Sequence, residues 1–321
     1  MSTSVMRPRG VGEILDGSLK LYLRNARTLM GLAALVVVPV QAIEGIILLS
    51  TVSSTNQVPT GFSNLSTTSS STGRPSAVAV GAYITVAVIG LLATTLTTAA
   101  CVKAVSDTYL DQPTGIGQSL RYALRRLPAL LGMEILWFLG LALAFVCLIV
   151  PGIWLYGLWS VATPALLIER KRPAGALGRS RRLVKGRWWA TAGVVLTATI
   201  MASVISGVFQ GLLVVVGLLA ARHSLVATVA VSSFAGAVAA VLTQPFQAAV
   251  HTILYYDLRI RKEGFDLELI AQQLGLPASA LPASDDAMTS DGPDLPIGPE
   301  SVGQPGGPPF WPPPPGWSPG A

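Results

Sequence analysis

Residues 28–50 read TLMGLAALVVVPVQAIEGIILLS and contain a single charged side chain, Glu44. A helix needs about 20 mostly apolar residues to cross the hydrocarbon core of a bilayer. Five more segments of this kind follow, at about 77–102, 128–150, 152–168, 190–219 and 225–256. The sequence therefore predicts an all-α polytopic membrane protein with six transmembrane helices.

The composition of the whole chain supports the same fold class. Of its 321 residues, 51% are hydrophobic and 12% are charged, whereas a typical soluble domain has about 25% charged residues. Such a chain has too few charged side chains to cover the surface of an ordinary soluble enzyme. It also has only two cysteines and two histidines, so we expect no disulfide framework, no metal centre and no other cofactor.

The basic residues predict how the helices are oriented. If the N-terminus is cytoplasmic, the segments 1–27, 103–127, 169–189 and 257–321 face the cytoplasm and hold 20 of the 22 lysines and arginines. Cytoplasmic loops of membrane proteins carry an excess of Lys and Arg. We therefore predict a multi-pass protein of the cell (cytoplasmic) membrane with both termini in the cytoplasm.

Three other regions differ from the helices in composition. Residues 51–76 contain 14 serines and threonines and are predicted to form a flexible external loop, and 150–152 (Val-Pro-Gly) a tight turn between the third and fourth helices. Residues 277–321 hold 13 of the 23 prolines. We therefore divide the chain into an integral membrane domain, 1–276, and a disordered, acidic, Pro-rich tail, 277–321, which is either solvated or docks on a protein partner.

A basic amphipathic stretch precedes each pair of predicted spans, at about 11–27, 116–127 and 174–189. The apolar residues recur at helical spacing, which predicts amphipathic helices lying in the cytoplasmic interface of the membrane. We hypothesise three copies of one unit, an interfacial helix followed by a helical hairpin, related by an axis along the membrane normal. When the stretches are superposed without gaps, three sets of residues align: Ser18, Ser119 and Ser180; Lys20, Arg121 and Arg182; and Gly31, Gly132 and Gly193.

The densest basic patch lies in the third of these stretches and in the loop before it. Basic side chains near the membrane surface attract anionic lipid headgroups, each contributing about 1 kcal/mol. The patch is therefore a candidate contact for anionic lipids or an acidic partner, although anchoring of the topology also explains it. Its members are Arg170, Lys171, Arg172, Arg179, Arg181, Arg182, Lys185 and Arg187.

A few polar side chains fall inside the predicted spans. Ionisable groups at such positions are candidates for function by default. By depth, Glu134 and His251 lie in the same leaflet and are able to pair, either as a structural ion pair or within a proton or ion relay. Glutamines there either join helices by hydrogen bonds or line a small polar cavity. The full set is Gln41, Glu44, Glu134, Gln244, Gln247 and His251.

The sequence contains no recognisable catalytic motif. It has no complete glycine-rich phosphate loop, no nucleophile elbow, no HExxH and no paired carboxylates in a soluble segment. We therefore predict that the chain is not an enzyme. We expect membrane lipids, through their anionic headgroups, to be its partners, and we expect no nucleic acid.

Three segments resemble the "glycerophosphoryl diester phosphodiesterase membrane domain" family of actinobacteria and other Gram-positive bacteria. They are residues 7–25, RPRGVGEILDGSLKLYLRN, residues 175–189, GALGRSRRLVKGRWW, and residues 255–268, YYDLRIRKEGFDLE. The resemblance covers the membrane region and not the tail. It implies a stand-alone membrane domain, without the catalytic phosphodiesterase domain to which some members are fused, and it carries over no catalytic residues.

The last of these segments alternates acidic and basic residues, which predicts salt bridges to the basic amphipathic helices. Asp257 is the candidate structural ion-pair residue, with an arginine of 179–187 as its partner. The leading hypothesis is a non-catalytic scaffold or accessory factor for a lipid- or envelope-related process, acting through its basic cytoplasmic face. The alternatives are a phosphodiesterase-associated membrane component and a small permease-like transporter with a cavity near Gln41, Glu44, Gln244 and Gln247.

Overall fold

The computed structural model describes residues 10–55, 77–110, 112–220 and 225–263. In these residues the chain forms nine α-helices and no strand, which confirms the predicted all-α class. The predicted loop beyond Thr55 and the predicted tail, 277–321, lie outside the described residues. The helices are α1 (Val11–Arg24), α2 (Ala26–Thr55), α3 (Ala77–Tyr109), α4 (Ile116–Cys147), α5 (Ile149–Leu158), α6 (Ala162–Ile168), α7 (Pro173–Val184), α8 (Trp188–Ala220) and α9 (Leu225–Glu263).

Six segments of this bundle are long and apolar enough to cross a membrane, as the sequence predicts. Large apolar side chains on their outer faces are exposed, including Phe138 at 70% and Val146 at 84%. Hydrocarbon solvates such surfaces well, whereas water does not. The chain is thus a multi-pass membrane protein, and the six segments are Ala26–Ser50, Val80–Tyr109, Ile116–Val146, Ile149–Ile168, Trp188–Leu212 and Val229–Glu263.

Local sequence explains where several helices begin and end. α1 follows Gly10, whose N–H donates to the Glu13 carboxylate at 3.1 Å. α7 begins with Pro173, whose missing N–H is one of those that a first turn leaves unpaired in any case. Gly186 separates α7 from α8 with a φ of +88°, in the left-handed region that favours glycine.

Three of the predicted boundaries are wrong. Residues 51–55, predicted to belong to the external loop, form the last turn of α2. The stretch 116–127 is not a separate helix, because α4 continues through Pro128 into the third span. A proline removes one backbone donor, and a membrane helix tolerates that loss where its neighbours pack around it. The chain reverses at Leu148 and not at 150–152, since those residues belong to α5. Pro151 fits there because the first turn of a helix leaves its N–H groups unpaired.

α1 packs against α9, and its predicted place in the cytoplasmic interface stays a prediction. Its first turn borders a cavity of about 150 Å³ together with Asp257. Near its other end, Tyr22 donates to the carbonyl of Leu242 at 3.1 Å. The narrow buried stripe of α1 therefore packs on protein and not on lipid.

The fourth apolar segment is divided between α5 and α6. The carbonyl of Trp154 accepts a hydrogen bond from the indole of Trp188 at 3.0 Å, and the carbonyl of Leu158 accepts one from Ser180 at 2.7 Å. Ser180 belongs to α7 and Trp188 begins α8. The C-terminal half of α5 is therefore attached directly to the basic segment 170–187.

The three-copy hypothesis finds two matching features in the structure. Ser18, Ser119 and Ser180, which align in the sequence, are all fully buried. The returning helices of the three proposed hairpins also meet, since α3, α6 and α9 contact one another. The hydrogen-bond partners of the aligned serines differ, since Ser18 donates to the carbonyl of Ile14 and Ser180 donates to that of Leu158. Superposition of the three hairpins is the direct test, and the repeat stays a prediction.

Candidate functional site: the basic end and an intramembrane cavity

Within the described ranges, every lysine and arginine lies at one end of the bundle, which we call the basic end. These residues lie on α1 and the start of α2, on the last turns of α3 and α9, on the first turns of α4, and in the segment 170–187. Direct contacts join the elements. Lys262 of α9 donates to the carbonyls of Arg182 and Lys185 at 2.6 Å each, and so caps the C-terminus of α7.

Arg179, a predicted lipid contact, is instead buried, with 9% of its side chain exposed. Its Nε donates to both oxygens of Glu169, at 2.7 and 3.0 Å, and its Nη2 donates to Glu263 at 2.7 Å. Tyr255 donates to Glu169 at 2.7 Å, and Arg259 donates to Glu263 at 3.1 Å. We call these five residues the Arg179 cluster. It fastens α7 and the end of α6 to the last turns of α9.

The Arg179 cluster stabilises Glu169 and Arg179 in their charged forms. Burial raises the pKa of the Glu169 carboxyl, but hydrogen bonds from Tyr255 and Arg179 outweigh burial and hold that pKa below its usual range. Burial likewise lowers the pKa of the Arg179 guanidinium, and contacts with Glu263 and Glu169 outweigh it and raise that pKa. Because each buried charge has an opposite charge in contact, the cluster has a structural role in holding the basic end together.

The predicted bridges between the last turns of α9 and the basic helices are confirmed, with Glu263 as the residue that reaches Arg179. Asp257 forms an ion pair with Arg261, four residues further along α9, at 2.8 Å. Its pairing with an arginine of 179–187 stays a prediction.

The other seven candidate contacts lie at or near the surface of the basic end. Lys171 is half-buried, with its ammonium 3.2 Å from Glu169. The remaining six flank both ends of α7, and we call them the α7 basic surface. They are all exposed: Arg170, Arg172, Arg181, Arg182, Lys185 and Arg187.

Four of the six acidic residues described at the basic end are directed inward. On α1, Glu13 and Asp16 are exposed, and Asp16 pairs with Lys20 at 2.7 Å. The other acidic side chains described at this end are withdrawn from the surface and pair with basic groups inside the bundle. The exposed part of the basic end is therefore strongly positive. The withdrawn acids are Asp107, Glu169, Asp257 and Glu263.

A cavity of about 240 Å³, here called the central cavity, lies among α3, α4, α5, α8 and α9. A second and more open cavity of about 640 Å³, the outer cavity, lies between α8 and α9 and shares Gln247 with it. Ser203, Ser206 and Gln210 of α8 contribute polar groups to the outer cavity. The wall of the central cavity includes Thr98, Trp137, Tyr156, Trp159, Ser160, Thr163, Gln244, Gln247 and His251.

The remaining intramembrane candidates lie elsewhere and pair with other neighbours. Gln41 donates to Glu44 at 2.7 Å, and Glu134 accepts a hydrogen bond from Thr95 of α3 at 2.7 Å. In the described part of the chain no hydrogen bond or ion pair joins Glu134 to His251, and Glu134 pairs with Thr95 instead. Gln41 and Glu44 line neither the central nor the outer cavity, and they pair with each other instead.

Several residues of both sites were not predicted from sequence. Glu169 had a usable signal, because it is the one acidic residue beside the eight basic ones of 169–189. The cavity residues Trp137, Trp159 and Ser160 had none, since aromatic and small polar residues are common in membrane helices. Across the residues that the structure describes, no group of three His, Cys, Asp or Glu side chains is placed to hold a metal ion.

Comparison with known proteins gives one match. The profile of a family described as "Domain of unknown function (DUF8558)" matches residues 123–275. That segment is similar to the family over slightly less than half of the chain, and it contains the whole Arg179 cluster and most of the central cavity. No curated protein and no solved structure matches the chain.

Proposed function

We propose that this protein is a non-catalytic membrane accessory factor that gathers anionic lipid headgroups at its basic end. The observation that supports this is the separation of charge there, with four acidic side chains withdrawn into the bundle and the α7 basic surface exposed. Anchoring of the topology requires positive charge on one side of the membrane. It does not require that the acidic groups be removed from the surface.

We further propose that the basic end faces the cytoplasm and that the protein resides in the cell membrane, with both termini inside. The one-sided distribution of Lys and Arg supports this orientation. The resemblance to the glycerophosphoryl diester phosphodiesterase membrane domain family, and any link to a phosphodiesterase, belong to the same proposal. Reporter tags at residues 64 and 180 are expected on opposite sides of the membrane, and finding both on one side would contradict the orientation.

Retention of lipids by the full-length protein tests the lipid-gathering function. After extraction in mild detergent, phosphatidylglycerol and cardiolipin are expected to be enriched over their share of the bulk membrane. The variant R181Q/R182Q/K185Q/R187Q should lose most of this enrichment, because each basic group contributes about 1 kcal/mol. The comparison variant K20Q/R24Q/R121Q/R125Q removes the same number of exposed charges from α1 and α4. The larger of the two losses identifies which part of the basic end gathers the lipid. Equal retention by the α7 variant and wild type would contradict the proposal.

A permease-like function is the second candidate, and the observation that favours it is that the central and outer cavities share Gln247. A transport path must admit water along its length. In a background lacking both cysteines, Ser203→Cys and Ser206→Cys should react with a small hydrophilic thiol reagent. Val204→Cys, on the exposed apolar face of the same helix, should not. No reaction at either serine position would exclude this path.

A further inference from the structure

The wall of the central cavity includes polar side chains that lack partners within the described residues. Six polar side chains line it, and the side chains of two, Gln244 and Ser160, hold a buried atom with no hydrogen-bond partner. These atoms are the Oε1 of the glutamine and the Oγ of the serine. Buried polar groups almost always have a partner, since leaving one unpaired costs free energy. These groups therefore require hydrogen-bonding partners that the neighbouring helices do not supply.

The wall of the central cavity contains no lysine, arginine, aspartate or glutamate among its described residues. A charged ligand would leave water without gaining an opposite charge, which is unfavourable inside a protein. A metal ion would meet one imidazole, that of His251, and no carboxylate. The chemistry of the wall therefore selects an uncharged ligand.

The neutral polar groups of the wall suit hydroxyl groups in particular. An amide such as that of Gln244 or Gln247 offers both donors and acceptors, and so does the hydroxyl of Ser160. A hydroxyl on a ligand likewise donates and accepts, so one such group satisfies two kinds of partner at once. A volume of about 240 Å³ has room for roughly eight waters at ~30 Å³ each, or for one small polyhydroxylated group.

Three aromatic side chains complete the wall on the side of α4 and α5. The rings of Trp137 and Tyr156 meet edge to face, with centroids 6.0 Å apart, and Trp159 lies beside them. Flat aromatic faces pack against the C–H face of a polyol ring, while the amides bond its hydroxyls. Tyr156 is 42% exposed, so this wall reaches the outer surface of the bundle, where lipid has access.

We propose that the central cavity binds an uncharged polyhydroxylated group, with Gln244, Gln247 and Ser160 as its hydrogen-bonding residues. The group is either the sugar-like head of a membrane lipid or a free polyol. This binding requires neither the lipid-gathering function of the basic end nor transport, and it is tested separately from both.

Two arms distinguish the two sources of the ligand. In the first, the full-length protein in phosphatidylcholine nanodiscs is titrated with myo-inositol and with glucose by calorimetry. In the second, nanodiscs of phosphatidylcholine are doped with monoglucosyl diacylglycerol, and the lipid that stays with the protein after detergent extraction is measured by mass spectrometry. Saturable binding in the first arm identifies a free polyol, and selective retention in the second identifies a lipid head. Either result supports the proposal.

Matched variants connect the binding to the central cavity. Q244L/Q247L should weaken binding about tenfold or more, because a site built to bond hydroxyls depends on those bonds. Gln118→Leu, an exposed glutamine on α4, should bind as wild type does. Ser160→Ala, a smaller change, should give a partial loss even if the double variant fails to fold. Absence of binding in both arms, or equal binding by wild type and Ser160→Ala, would overturn the proposal.

Discussion

The Arg179 cluster and the central cavity both bury polar side chains, but only the first provides their partners. In the cluster, Arg179 is shared by Glu169 and Glu263, and Tyr255 adds a further donor. In the central cavity, Gln244 and Ser160 have buried atoms without a partner. The polar groups of the Arg179 cluster are satisfied by contacts within the protein, whereas those of the central cavity are left available to a ligand.

This difference follows from the energy of burial. An unpaired charge is far more costly to bury than an unpaired amide or hydroxyl. Charged groups inside the bundle must therefore be matched by the protein itself, and a matched group has little capacity left for a ligand. Neutral polar groups are the ones that a membrane protein is able to leave unmatched at a binding site.

The largest effect is expected when the matching of charge in the Arg179 cluster is broken. Arg179→Met leaves two carboxylates near each other without their shared cation, and should destabilise the protein by about 3–5 kcal/mol. Thermal unfolding followed by tryptophan fluorescence in detergent measures this. Arg181 lies two residues further along α7 and is exposed, so Arg181→Met should change stability by less than about 0.5 kcal/mol. Adding Glu169→Gln and Glu263→Gln to Arg179→Met should recover part of the lost stability. If Arg179→Met and Arg181→Met destabilise the protein equally, the buried charges of the Arg179 cluster do not depend on one another.

A smaller effect is expected from pH. The pKa of Glu169 is lower in the folded protein than its ordinary value of 4.5, so the folded state favours the carboxylate. Its stabilising contribution is complete above that value and is lost as pH falls through the lower folded pKa. The melting temperature of wild type should therefore drop below about pH 4.5. Glu169→Gln should show a shallower drop over the same range, and an identical drop would show that Glu169 does not contribute.

The smallest effect is expected in the central cavity. Gln244→Leu removes an unpartnered group and replaces it with an apolar one of similar size. The free energy of unfolding should stay within about 1 kcal/mol of that of wild type, and an increase would also agree with this prediction. Gln41→Leu is the matched control, because it removes the donor to buried Glu44 and should cost about 1–3 kcal/mol. If both variants destabilise equally in thermal unfolding, the two glutamines are equally well paired, and the central cavity does not leave Gln244 unmatched.

The number of spans and the position of the charges were accessible from sequence because both depend on local composition. A run such as 28–50 is apolar whatever its neighbours are. Breaks and turns were less accessible. Residues 150–152 have typical turn composition, yet α5 includes them, and the reversal occurs at Leu148, where no glycine or proline marks it. The first turn of a helix accepts proline, so Pro151 marks either a turn or a helix start.

By itself, the sequence determined that this chain lies in a membrane as a bundle of apolar helices with its basic residues gathered at one end. Solvation by hydrocarbon acts on each segment separately, so residue types suffice to establish it. Only the tertiary structure decided that Arg179 is enclosed while Arg181 is exposed, and that Gln244 lines a cavity while Gln41 pairs with Glu44. Those outcomes depend on which helices pack side by side, and residues far apart in the chain, such as Arg179 and Glu263, carry no local sign that they will meet.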